Sequence, residues 1–287
     1  MTRRMDFVKY QGCGNDFIIV DEMEGDTTPD DDRSKLAKSL CDRRFGIGAD
    51  GLIFIEPTRD ADCSMRLFEP AGNEADMCGN GLRCVASFIS DRIPEPDRNV
   101  TILTADGIKE VRKEDSEFTA DMGEVRSTRS YLEDYVSDPG SPDDSMLDFE
   151  VDFCGCRHQG SLLNTGEPHI VIFTEDVSSI DLVRAGTQVN SNRNRFPAGV
   201  NLNFVQTMGA CDISVRTYER GVYDETYACG TGATACAAAA VLKGVVTDTR
   251  VIVTTRGGIL TIELLPDGRA LMTGPAKRVF SGNVNLD

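Results

Sequence analysis

The chain has 287 residues with a formal net charge of -17, 47 acidic side chains against 30 basic, and 10 cysteines. That length suits two ordinary domains with cores that need no disulfides, and the charge excludes nucleic acid or an anionic membrane surface as partner. With no run of eighteen apolar residues and no apolar signal core after "MTRRMDFVKYQG", the expectation is a soluble cytoplasmic protein whose cysteines are thiols.

In chain order, "FVKYQG", "LIFIEP", "SMRLFEP", "VTILTADG" and "IKEVRKE" read as short strands, and "GNDFIIV" as a glycine turn feeding a buried strand. A helix is predicted at "DRSKLAKSLCDRR" and another at "LRCVASFISDR", which follows "MCGNG" at residues 77–81. Residues 126–150, rich in acid, Ser and Pro, read as a linker with an exposed loop. Beyond it the plan repeats. "GEPHIVI" matches "GNDFIIV", "RFPAGVNLNFVQ" from Arg195 matches "RFGIGADGLIFI" from Arg44, and "ACGTG" at 228–232 precedes a helix at "ATACAAAAVLKG" closed by Gly244. The offset is about 151 residues. Glu69 falls opposite Glu219, and Glu74 and Glu225 each lie four residues before a cysteine. The fold class expected is α/β, with two pseudo-symmetric domains, each a mixed β-sheet curled around a central α-helix. The domains span residues 1–122 and 123–275.

A cysteine followed by Gly-x-Gly at a helix start sits beside backbone N–H groups that the helix leaves open and at the positive end of its dipole. That site lowers a thiol pKa and can hold a carboxylate. Two such starts facing across a cleft would place a sulfur on each side of one α-carbon, so Cys78 and Cys229 are the candidate acid–base pair for inverting it. Cys13, Cys41, Cys63, Cys84, Cys211 and Cys236 read as small buried hydrophobes. Cys154, Cys156 and His158 in "CGCRH" have no second cluster to complete a metal site and read as a strand with alternating thiols. Phosphate binding by "CGNGLR" lacks the Lys-Ser/Thr pair of a P-loop.

The motifs "GCGNDFIIVD", "FGIGADGL", "GNEADMCGNGLRC", "NTGEPH", "GVNLNFVQ", "YERG", "ACGTGA" and "LMTGPA" span nearly the whole chain, and together they resemble the diaminopimelate epimerases. The resemblance implies a cofactor-independent epimerase of lysine and cell-wall precursor biosynthesis that takes LL-diaminopimelate to the meso form. It also implies an active site in the interdomain cleft, a homodimer, no metal, and a last strand at 276–287 returning to the first domain. Asn15, Gly79, Asn80, Asn201, Glu219, Arg220, Gly230 and Thr231 fall on family positions that touch substrate. Gly79 with Asn80 and Gly230 with Thr231 are expected to hold the reacting carboxylate, and Arg220 the distal one. His169, Glu74 and Glu225 are expected in a supporting layer, with helix capping the expected task of the two glutamates and a plain core residue the alternative for His169. Glu69 and Glu167 depart from the family's asparagines, which suits a distal ammonium. A racemase of histidine, lysine or ornithine therefore stays open, as does, from another class, a non-catalytic amino-acid-binding protein. Proline racemase fits less well, because its flanking motifs are absent.

Overall fold

The computed structural model describes residues 3–25, 28–92, 98–133, 135–137 and 145–286. The chain divides into two compact units, residues 1–121 with 273–287 and residues 122–272.

Unit 1 contains β1 (Arg3–Gly12), β2 (Asn15–Asp21), α1 (Asp30–Leu40), β3 (Gly51–Glu56), β4 (Cys63–Phe68), β5 (Glu74–Ala75), α2 (Gly79–Ser90), β6 (Val100–Thr104), β7 (Gly107–Glu114) and β8 (Glu117–Glu124), the last running into unit 2. β2 pairs parallel to β3 and β4 parallel to β6, while β1/β2, β3/β4, β4/β5, β6/β7 and β7/β8 are antiparallel. The C-terminal strand Lys277–Leu286 runs antiparallel along β1. Each parallel step needs a crossover, and the two crossovers carry α1 and α2.

The sequence "GNGLRCVASFIS" of α2 is apolar nearly all round, so this helix is buried, with Leu82, Cys84, Val85 and Ala86 fully enclosed by Phe17, Ile53, Ile102 and Val111 from the sheet. α1 is polar and docks partly by charge. Its Arg33 is 1% exposed, donates to Glu22 at 2.9 Å and to Glu56, and lies over the Phe54 ring. A buried guanidinium is tolerated only with such partners.

Unit 2 contains β9 (Phe149–Phe153), β10 (Cys156–Asn164), β11 (Pro168–Phe173), α3 (Leu182–Ser191), β12 (Asn201–Thr207), β13 (Asp212–Glu219), β14 (Asp224–Glu225), α4 (Gly230–Leu242), β15 (Arg250–Thr255) and β16 (Gly258–Leu264), followed by a strand at Arg269–Pro275 that leads back into unit 1. The pairing plan is that of unit 1: β11 parallel to β12, β13 parallel to β15, and antiparallel steps at β10/β11, β12/β13, β13/β14 and β15/β16. The alanine-rich α4 is the buried central helix here, and Gly244 just beyond it adopts φ 66°, the left-handed C-terminal position that glycine takes without strain.

The ladders refine the repeat. Phe17 pairs with Gly51 and Leu52 with Phe68, as His169 pairs with Asn201 and Leu202 with Tyr218. Gly51 is thus the counterpart of Asn201, whereas the match starting at Arg44 and Arg195 would set it against Leu202. The second copy is one residue shorter after Gly199.

α3 is a helix that the sequence reading did not assign. It carries Gly186 and the β-branched Val183, Thr187 and Val189, which depress intrinsic helicity. Packing demands that glycine, since a Cβ there would lie 2.2 Å from the Tyr218 ring. Residues 126–150 are also not simply a linker. Leu132, Val136, Met146 and Phe149 are at most 2% exposed and join the core of unit 2, while 134 and 138–144, where the exposed loop was expected, lie outside the described residues. "CGCRH" is a hairpin rather than one strand, because Cys154 and Gly155 form the turn between β9 and β10 with φ 53° and 77°.

Candidate active site: two cysteines at helix starts

Cys78 is the residue that opens α2, held in extended conformation (φ -145°, ψ 118°). The first helical hydrogen bond runs from the Leu82 N–H to the Cys78 carbonyl at 2.8 Å, so the N–H groups of Gly79, Asn80 and Gly81 lie ahead of the ladder. Four side chains order this end. Asn15 Nδ2 donates to Asp50 Oδ2 at 2.7 Å, which turns Asn15 Oδ1 toward the cysteine; that oxygen accepts from Asn80 Nδ2 at 3.1 Å and from the Cys78 thiol at 3.9 Å. Asn80 Oδ1 in turn accepts from Arg83 Nη2 at 2.7 Å. Arg83 is fully buried, and desolvation pushes its pKa down while the neighbouring Cys13, Cys84 and Cys78 oppose that shift.

Cys229 opens α4 in the same way (φ -107°, ψ 116°), and its sulfur accepts from the Gly232 N–H at 3.3 Å. Thr231 Oγ1 lies 3.3 Å from the sulfur and 3.0 Å from His169 Nε2. His169 is fully buried. Desolvation first, then the Arg220 charge, drives its pKa down to about 3, so the ring is neutral. Asn201 is buried, donating to the Pro168 carbonyl at 3.2 Å and accepting from the Arg220 N–H at 2.8 Å. The Arg220 guanidinium is ion-paired with Glu167 through both Nε and Nη2.

In unit 1 the structure therefore gathers Cys78, Asn15, Gly79 and Asn80, and in unit 2 Cys229, Gly230, Thr231 and His169, with Asn201, Arg220 and Glu167 linked to one another. Glu69 is exposed in the turn after β4, and Glu219 ends β13. Glu74 and Glu225 do not cap the helices, whose caps are the cysteines themselves. Glu74 takes Arg66 in two bonds of 2.6 and 2.9 Å, and Glu225 takes Arg216 in two of 2.8 Å. Both glutamates face back along the preceding strand.

Of the cysteines read as core, Cys13, Cys41, Cys63, Cys84 and Cys236 are buried, and desolvation raises all five thiols, Cys41 and Cys63 to about 12. Cys211 is half-exposed instead, with its sulfur beside Asp212. None of the ten is in a disulfide, and among the described residues no three His, Cys, Asp or Glu side chains gather as metal ligands.

Asp50 and Arg83 at the Cys78 helix start, and Asn203 and Thr217, which bond to each other at 2.8 Å with Asn203 against His169, are candidate-site residues that the sequence reading missed. Arg83 had a visible signal, a charge inside the apolar run "LRCVASFIS" one turn after the cysteine. Asn203 and Thr217 had little, as short polar residues among the apolar ones of β12 and β13.

The family described as diaminopimelate epimerase matches residues 7–128 and 161–279. A diaminopimelate epimerase from Elusimicrobium minutum is 41% identical over 280 residues, 97% of this chain and 98% of that protein, and one from Archaeoglobus fulgidus is 38% identical over 287 residues, 99% and 98% of the two chains. Among solved structures, a hydroxyproline epimerase from Agrobacterium vitis superposes with a TM-score of 0.72 at 17% identity, covering 100% of this chain and 94% of that one. A phenazine biosynthesis protein of the PhzF family from Bacillus anthracis superposes at 0.68 with 14% identity, covering 99% and 100%. At such identities these two share the fold. The full-length likeness in sequence goes further: this chain belongs to the diaminopimelate epimerase family.

Proposed function

We propose that the chain is a cofactor-independent epimerase that inverts the α-carbon of LL-diaminopimelate to give the meso form, a step in making lysine and cell-wall precursors, with Cys78 and Cys229 as its acid–base pair. One observation carries the reading: in a member of this family, each of two repeated units ends a strand–helix turn on a cysteine that opens a buried helix. Inversion requires a proton to leave one face of the carbon and another to arrive at the opposite face, so two groups of matched strength suffice. In the forward step one thiolate takes the α-proton, the C–H electron pair moves onto the carboxylate as an enediolate, and the other thiol returns a proton from its S–H. N–H groups of Gly79 and Asn80 and of Gly230 and Thr231, ahead of each helical ladder, suit the negative charge that builds on that carboxylate.

The Arg220–Glu167 pair supports diaminopimelate over histidine, lysine or ornithine. A cation and an anion side by side complement a distal group that is itself carboxylate plus ammonium, whereas a simple basic side chain offers nothing to Arg220. Glu69 is carried as a second contact to that ammonium and Glu219 as a substrate-touching residue. A homodimer in the cytoplasm belongs to the same proposal and is checked by sedimentation velocity and cell fractionation.

The test is a panel of LL-diaminopimelate, histidine, lysine and ornithine in deuterated water, followed by loss of the α-proton NMR signal in the presence of a chelator and of hydroxylamine. Exchange confined to diaminopimelate and indifferent to both reagents is expected. Exchange of a basic amino acid instead, or abolition by either reagent, contradicts the proposal.

A further inference from the structure

The two helix starts are copies, but what lies beneath them differs. The strand register makes Phe17, Ile53 and Leu67 of unit 1 the counterparts of His169, Asn203 and Thr217 of unit 2. Both trios are buried. A Cβ built on Gly81 would meet Met65 Cε and Ile53 Cδ1, and one built on its counterpart Gly232 would meet Asn203 Oδ1 at 2.9 Å and Thr217 Oγ1 at 3.2 Å. Three core positions are thus polar directly under Cys229 where they are apolar under Cys78. Burying such groups is costly unless every one is hydrogen-bonded.

They are hydrogen-bonded, and the direction of each bond can be assigned. Asn203 Nδ2 donates to the Ile170 carbonyl at 2.9 Å, while Asn203 Oδ1 accepts from the Thr217 hydroxyl at 2.8 Å. A flipped amide would set its oxygen against that carbonyl. The same Nδ2 lies 3.2 Å from His169 Nδ1, which makes Nδ1 the acceptor and puts the ring proton of the neutral histidine on Nε2. Nε2–H therefore donates to Thr231 Oγ1, and the Thr231 hydroxyl proton is left for the Cys229 sulfur.

We propose that Asn203 is a positioning residue that fixes His169 as the Nε2–H tautomer, aims the Thr231 hydroxyl at Cys229, and so holds that sulfur as the resting thiolate. The inference rests on the reading of Cys229 as an acid–base thiol. Cys229 then accepts from Thr231 and from the Gly232 N–H, whereas Cys78 donates to Asn15 Oδ1, an oxygen that Asp50 keeps turned toward it. Cys78 also lies in the field of the buried Arg83, so the order in which the two thiols are alkylated ranks them directly. Full burial keeps the ring neutral, and the charged group that bears on it is Arg220, itself paired with Glu167, so the relay keeps its direction through the neutral range.

The experiment needs no turnover. The chain has two histidines, so nitrogen-15 NMR of histidine-labelled protein, with His158→Gln to assign the other ring, reads the His169 tautomer directly. Limited alkylation with iodoacetamide, mapped by peptide across pH, reads each thiolate. Expected are an Nε2–H ring that does not titrate between about pH 5 and 9, and alkylation of Cys229 at lower pH than Cys78. Asn203→Ile, which copies the residue of unit 1, should mix the tautomers and raise the Cys229 midpoint by about one pH unit or more, the effect of losing one charge-assisted hydrogen bond, with Cys78 unchanged. Thr231→Val removes the same donor from the surface side and should give the same shift if Asn203→Ile does not fold. An Nδ1–H ring in the wild type, earlier alkylation of Cys78, or an unmoved Cys229 midpoint in the folded variants overturns the inference. Absence of any epimerase activity with these signatures intact would instead overturn the proposed function alone.

Discussion

Gly81 and Gly232 occupy the same position in the two units, and replacing each with alanine tests whether the layer under Cys229 is as rigid as its hydrogen bonds imply. Alanine in place of a helical glycine gains about 0.5–1 kcal/mol from the backbone alone. At Gly81 the nearest obstacle is Met65 Cε at 3.1 Å, the far end of a flexible side chain, so Gly81→Ala should stay within about 1 kcal/mol of the wild type. At Gly232 the obstacle is Asn203 Oδ1 at 2.9 Å, on an amide fixed by Thr217, Ile170 and His169. Overpacking against such a group costs about 1–3 kcal/mol, more than the backbone gain, so Gly232→Ala should be the less stable by about 1–2 kcal/mol. For units of this size that is roughly 2–8 °C in calorimetry. It should also lose most activity, because the Gly232 N–H that faces the Cys229 sulfur must move. A Gly232→Ala protein that melts with Gly81→Ala and turns over normally would mean that the amide layer under Cys229 yields to an added methyl group.

The buried neutral His169 makes stability depend on pH. Its folded pKa of about 3 lies below the ordinary value near 6.5, so the unfolded chain binds an extra proton between the two, and stability, full above about pH 6.5, falls as pH drops toward 3 by up to about 1.4 kcal/mol per unit. Urea midpoints at about pH 7.5 and 5 should differ more for the wild type than for His169→Gln, and an equal difference would contradict the burial assigned to the ring. Glu167→Gln removes the charge that masks Arg220, so 2-aminopimelate, which lacks the distal ammonium, should gain affinity relative to diaminopimelate by about tenfold in competition assays. An unchanged ratio would mean that Glu167 does not sense the distal amine.

The repeated frame was legible because apolar periodicity and paired glycine turns survive in both units: "LRCVASFIS" and "ATACAAAA" could only be buried helices, and each follows a cysteine. α3 was not legible, because Gly186 is dictated by the Tyr218 ring from a strand some thirty residues on, a contact that local propensity cannot contain. The place of the one-residue slip was not legible: Arg44 with Arg195 and Glu69 with Glu219 show that one residue is lost between them, and only the ladder partners put the loss after Gly199. Glu74 and Glu225 were expected to cap the helices, but they lie four residues ahead of the N-cap cysteines, and Arg66 and Arg216 on the adjoining strands pair with them. The relay under Cys229 is assembled from β11, β12, β13 and α4, and no short motif records that Asn203 lies against His169.

In the proposed function two thiols, Cys78 and Cys229, serve opposite faces of one α-carbon. The most direct measurement is the fate of solvent deuterium when LL-diaminopimelate is converted in deuterated water, sampled before the reaction has gone far. A two-base enzyme delivers its proton from a group that has exchanged with solvent, so the meso product should carry deuterium at the inverted carbon while recovered LL substrate keeps its proton. Cys78→Ala and Cys229→Ala should each form no product. Deuterium appearing equally in recovered substrate and product, or inversion sustained by either single variant, would mean that one group works both faces and would contradict the account.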